Sequence, residues 1–266
     1  SGGSRSGGST SRCRHGAYFI LSGLCAMMVL WILGLPASWR AGWQWHDALT
    51  KRWYDAVVAR ETHFPTPLHL ITKYKGHSLV QLCHILPGAL WAGLIPFQLH
   101  PGCRARHRRT HRLCGYVFAA TSGLMMFGFW HIDKRKLAYM HADFPEIPLE
   151  AHTSWLPPAL RVPHEPLFRG VAVWFCLTIS MAVWHATRRR LTEHRKWILR
   201  HVGSGIWVAV QRLMVVAVNA EGPAAQKKTF GDAALFAAAL TMGVAELAAW
   251  GYVPYDRKDS PAVKVE

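Results

Sequence analysis

The chain has 266 residues, of which 51% are hydrophobic and only 17% charged, and its formal net charge is +16. That balance would also suit a large soluble enzyme, but the charges are confined to gaps between long apolar stretches, which argues against one. Nor do the basic residues form a base-reading module or a basic groove lined with aromatics, so nucleic acid is not an expected partner.

In chain order, residues 1–16 (SGGSRSGGSTSRCRHG) read as a basic Gly/Ser tail. Arginine and serine without an acidic residue are the composition of an organellar presequence remnant, and equally of a flexible tag or linker. The first apolar stretch covers 18–35. The connection 36–76 follows, in which Trp45, Leu49, Trp53 and Val57 recur at helical spacing with charges opposite. This predicts an amphipathic helix, lying either in the membrane interface or on the end of its own bundle. Further apolar stretches cover 78–99, 113–130, 167–186, 197–218 and 233–250. Each of the six approaches the roughly twenty residues that a helix needs to cross about 30 Å of hydrocarbon. The connection 131–166 holds six of the fifteen prolines and is expected to be mostly irregular, draped over the bundle or a partner. Residues 251–266 form a C-terminal tail. The expected fold is all-α: a six-transmembrane-helix bundle over 17–250 with a four-helix core, plus the amphipathic helix. Many of the thirteen tryptophans lie near predicted helix ends, where aromatic belts meet the two interfaces.

The basic residues set an orientation. With six crossings, the N-terminus, the second-to-third turn, the fourth-to-fifth turn and the C-terminus share one side, here side B. Side B carries 17 Lys and Arg against 12 on the longer loops of side A, while acids number four against ten. By the positive-inside rule, side B is the cytoplasm, matrix or stroma, and both termini lie inside. Together with the tail, this points to a mitochondrial inner membrane with both termini in the matrix. The six cysteines are scattered without a Cys-x-x-Cys and read as buried or interfacial thiols.

Candidate binding residues cluster at side B. The turns PGCRARHRRTHR and TRRRLTEHRKW both end in a His-Arg pair that opens the next helix, an arrangement consistent with a parallel repeat. Arg104, Arg106, Arg108, Arg109, Arg112, Arg188, Arg189 and Arg195 are expected to attract anionic phospholipid such as cardiolipin, at about 1 kcal/mol for each. A second reading is a b-type haem, for which His111, His185, His194 and His201 lie near side B. His185 and His201 differ in depth by only about 5 Å at 1.5 Å per residue. A zinc quartet of Cys103, His107, His111 and Cys114 is not expected, because ligands spread along one helix cannot converge tetrahedrally. Nearer side A, His84 and Arg212 have matching depths, with Gln81, Gln211 and Asn219 at similar levels, so a polar cluster is expected there. Arg212 needs a carboxylate, a carbonyl array or an anionic or quinone-like ligand, and no acid lies in the A-side half of any predicted stretch. Glu246, nearer side B, is placed either to pair with Arg200 or, if buried away from it, to stay protonated. No catalytic residue emerges.

The runs HILPGALWAGLIPFQLHPGCRARHRRTHRLCGYVF and EHRKWILRHVGSGIWVAVQRL carry His84, Gly88, Gln98, His111, Arg112 and Gly115, then His194, Arg195, Trp197, Arg200 and Arg212. This pattern resembles a widespread family of multi-pass membrane proteins known only as a domain of unknown function. It is distantly similar to the ascorbate-dependent transmembrane b-type cytochromes, which implies a four-helix core with histidines and, in that family, haems held on both sides. Here side A offers only His84 and His131 at unequal depth, so a second haem is not expected. The resulting expectation is an accessory or structural subunit of an organellar, respiratory, inner-membrane complex, with other membrane subunits as partners. The alternative is a b-type haem electron-transfer protein.

Overall fold

A computed structural model describes residues 7–34, 37–59, 72–138, 154–157, 164–220 and 222–251. Helices occur throughout and no strand is present among them. The long elements are α1 (Gly7–Leu33), α2 (Gln44–Ala59), α3 (Ser78–Leu99), α5 (Arg108–Lys134), α6 (His164–Thr187), α7 (Leu191–Val218) and α8 (Gly222–Trp250), with the short α4 (Pro101–Arg106) between α3 and α5. Among the described residues, six of these are long and apolar enough to cross a membrane. The all-α bundle read from the sequence is therefore present.

Helix ends extend beyond the apolar stretches. α1 begins inside the segment read as a tail, and α8 begins at Gly222 rather than near 233. Once an apolar span has nucleated a helix, adding a polar residue costs little, so hydropathy marks the lipid-facing part and not the hydrogen-bonded length. α3 contains a π-helical segment, Gln81–Ile85, directly before Pro87. Proline offers no N–H to the carbonyl four residues back, and its ring crowds that carbonyl, so the turn ahead of it widens. The chain breaks at His107 (φ −124°, ψ 60°) before α5 starts, so Cys103, His107, His111 and Cys114 do not share the single helix assumed from sequence. α5 and α6 both close with a left-handed residue, Lys136 and Arg189 (φ 57° each). At each, the following N–H reaches back five residues, Leu137 to Ile132 and Arg190 to His185, at 2.9 Å. Both ends are Schellman motifs without their usual glycine.

α7 is central, packing on α6, α8 and α1, while α3 packs on α1 and α5, and α5 meets α6. The main apolar core joins Cys25 and Met28 of α1, Trp91 and Ile95 of α3, Phe118 and Met125 of α5, Phe175 of α6, and Val202 and Ile206 of α7. Outward faces are strongly apolar. On α8, Phe236, Leu240, Val244, Leu247 and Trp250 are all exposed, as are Leu113, Tyr116, Leu124, Phe127 and Trp130 on α5. Continuous bare apolar surface on helices of this length defines an integral membrane protein. In α2 the bundle side holds buried His46 and Thr50, whereas Trp45, Leu49 and Trp53 are exposed. The apolar stripe thus turns away from the bundle. The side chain of Val57 and the greater part of the proline-rich connection, 139–153 and 158–163, lie outside the described residues.

Candidate functional site

Among the described residues, His201 of α7 has no exposed surface, and neither have Ser122 of α5 and Thr178 of α6. The Trp91 indole of α3 donates from Nε1 to His201 Nε2 at 3.2 Å, and Ser122 Oγ of α5 lies 3.0 Å from the same nitrogen. On the other edge, Nδ1 is 3.2 Å from the Phe175 carbonyl and 3.2 Å from Thr178 Oγ1, both on α6. An indole can only donate, so Nε2 is the acceptor and the imidazole is neutral with its hydrogen on Nδ1, donated to α6. The Ser122 and Thr178 hydroxyls donate to the Phe118 and Phe175 carbonyls of their own helices, at 2.8 and 3.0 Å. Phe175 and Phe118 close the ring faces, with centroids 4.0 and 5.4 Å away. Gly205 makes room for the indole, because a Cβ there would sit 2.4 Å from Trp91 Cη2. One side chain thus ties together the four central helices.

That arrangement does not fit haem ligation by His201. An axial ligand needs a nitrogen lone pair aimed at iron and open space beside it, and here both nitrogens are engaged and the ring is walled by aromatics. The His185–His201 pair read from matching depth is set aside on this ground. His185 itself is buried, and its Nδ1 has no hydrogen-bond partner. His194 Nδ1 lies 2.8 Å from the Ala182 carbonyl of α6, and the His111 carbonyl accepts from Gln98 Nε2 at 3.1 Å.

Nearer side A, the expected polar cluster is not assembled. His84 Nδ1 donates to the Met125 carbonyl at 2.7 Å, with α5 brought close at Gly128, where a Cβ would fall 2.6 Å from that of His84. Gln81 donates from Nε2 to the Ala41 carbonyl at 2.8 Å. Gln211 instead donates to the Phe230 carbonyl of α8 at 3.0 Å, and Asn219 is the left-handed residue that caps α7. Equal depth placed these groups at one level, but α3 and α7 present them to different neighbours.

Two acidic anchors complete the interior. Glu246 of α8 accepts two hydrogen bonds of 2.6 Å from Arg200 Nε and Nη2, the pairing expected from sequence. Asp232, one residue outside the predicted sixth stretch, lies within α8 and is buried. Its carboxylate accepts from Ser154 Oγ and the Trp155 N–H at 2.6 Å each, which fastens the segment 154–157 onto the bundle. Sequence reading missed this contact, as it missed Trp91, Ser122 and Thr178. Their only signal is that each is a polar group at span depth.

At side B, Arg106, Arg108, Arg109, Arg112, Arg188 and Arg189 are exposed and Arg195 is partly buried, while the side chain of Arg104 lies outside the described residues. Arg188 lies over the Trp184 ring at 4.3 Å, holding one cation at the aromatic rim. Two spans, α5 and α6, separate the arginine turns, which places both turns at the same end of the bundle. The class defined by this fold and these groups is a polytopic helical membrane protein whose interior polar groups cross-link helices. No protein-family model, curated protein or solved structure matches the chain.

Proposed function

We propose that the protein is an accessory, structural subunit of a multi-subunit organellar inner-membrane complex, respiratory in its preferred setting, that binds anionic phospholipid such as cardiolipin through its inner-face arginines. One contrast supports this reading most. Polar groups such as His201, His84 and Gln211 are spent on bonds between helices, whereas Arg106, Arg108, Arg109, Arg112, Arg188 and Arg189 of the side-B turns are exposed. Groups held in that way stiffen a scaffold and leave few free for chemistry, while exposed cations at a headgroup plane recruit anionic lipid. The test is purification from the native membrane followed by analysis of co-purifying proteins and lipids. Comigration with a larger complex is expected, together with retained cardiolipin that falls when Arg106, Arg109 and Arg189 are changed to Gln. A lipid-indifferent, partner-free monomer would overturn the reading.

The alternative, a b-type haem electron-transfer protein, rests on His84 and His194. Each turns Nδ1 toward a backbone carbonyl, the support that ligating imidazoles have. A Soret band lost in His84→Ala or His194→Ala would establish it.

A further inference from the structure

Arg212 is a charged group inside a span whose hydrogen bonds are incomplete among the described residues. It lies on α7 six residues before Val218, about 9 Å below the side-A end of that helix at 1.5 Å per residue. Its Nε and Nη1 are buried and hydrogen-bonded to nothing. The guanidinium carbon lies 4.8 Å from the Phe230 ring centroid of α8 and 5.5 Å from that of Trp31 on α1. Aromatic faces stabilise a cation, but they accept none of the five in-plane N–H bonds of a group that never loses its charge. Among the described residues, Tyr74 lies within electrostatic reach, and two other polar groups, one on α8 and one on α7, are committed elsewhere. Asp232 accepts from Ser154 and Trp155, and the Gln211 amide bonds to the Phe230 carbonyl. A buried donor set of this kind inside a span demands an oxyanion from outside the described chain.

The surroundings indicate which kind. Val216, one turn nearer side A on the same helix face as Arg212, is exposed, and so is Trp31. Arg212 itself keeps partial exposure beside these two residues, on the flank where α1 packs on α7. We propose that Arg212 anchors the phosphate of a phospholipid headgroup at the end of the bundle opposite the arginine turns, between Trp31 and Phe230. This site goes beyond the inner-face reading and does not depend on it.

The test uses the full chain, stripped of lipid in a non-ionic detergent and titrated with phosphatidylglycerol, with bound phospholipid counted by native mass spectrometry and Tm measured in parallel. Wild type should retain one phospholipid more than Arg212→Leu, and its Tm should rise with phosphatidylglycerol by more than that of the variant. Without lipid, Arg212→Leu should be at least as stable as wild type, because an unpaired buried charge has been removed. Should Arg212→Leu not fold, Arg212→Gln carries the same comparison. Arg106, Arg109 and Arg189 changed together to Gln should lose inner-face lipid yet keep the Arg212-dependent molecule, which separates failure of one site from failure of the other. Equal lipid counts and equal Tm gains in wild type and variant would overturn the proposal. So would inorganic phosphate reproducing the full gain, since the site would then take a free anion.

Discussion

Each ring nitrogen of His201 reaches a neighbouring helix, so its substitutions separate bonding from packing. Trp91→Phe keeps the ring but removes the N–H donated to Nε2, leaving Ser122 Oγ beside that nitrogen. A loss of about 1 kcal/mol is expected, because interhelical hydrogen bonds in membranes are individually modest. Gly205→Ala should cost more, about 1–3 kcal/mol, because its Cβ would overlap the indole in a closed core. Gly170→Ala is the internal control: nothing lies within 4 Å of a Cβ there. Unfolding in detergent ranks the three, and a Gly205→Ala no worse than Gly170→Ala would refute the close approach. Sequence periodicity exposes His201 as a polar residue within a span, but its partners depend on how four helices are rotated about their axes. Ser122 and Thr178 are too ordinary as residue types to announce a contact across helices.

Helices were legible as apolar lengths, while their contacts depended on small residues that hydropathy scores as neutral. α8 presents Ala237, Thr241, Ala245 and Ala249, four residues apart and all buried, and α7 meets them at Gly203. A Cβ on Gly203 would lie 2.4 Å from Ala245 Cβ and 2.9 Å from the Thr241 carbonyl oxygen. Gly203→Ala should therefore destabilise by about 1–3 kcal/mol. Ala245→Gly should rescue it only in part, since the backbone clash stays; full additivity in the double mutant would disprove direct contact. α2 depends on electrostatics instead. Burial alone would raise the Asp47 carboxyl, but the Gly42 N–H at 3.0 Å, His46, and Lys75 at 3.2 Å outweigh it and hold it below the usual carboxylate range. Its contribution is complete above the ordinary carboxylate pKa and is lost as pH falls through the lower folded value. Hydrogen exchange of α2 should accelerate across that acidic window and lose the transition in Asp47→Asn. Gly42, at φ +101°, supplies the turn that aims its N–H at this carboxylate.

At the scale of the molecule, the spans and the arginine turns make one commitment about sidedness. Two crossings, α5 and α6, lie between Arg106 and Arg189. The two arginines must then face the same compartment, while Lys51 on α2 and Lys136 after α5 face the other. Charge agrees, because Lys and Arg favour the side bearing both turns, 17 against 12 on longer loops, and moving such clusters across hydrocarbon is strongly resisted. The check begins from a variant whose cysteines are replaced by serine, Cys25 apart because it is buried. Single cysteines at 106, 189, 51 and 136 are then probed with a membrane-impermeant maleimide in sealed, oriented vesicles. Arg106→Cys and Arg189→Cys should react from one side, and Lys51→Cys and Lys136→Cys only after the vesicles are opened or inverted. Reaction of positions 106 and 189 from opposite sides would require an odd number of crossings between them. That would break the α5–α6 pair, displace His201 from the helices it joins, and remove the common headgroup plane on which lipid binding by the arginine turns depends.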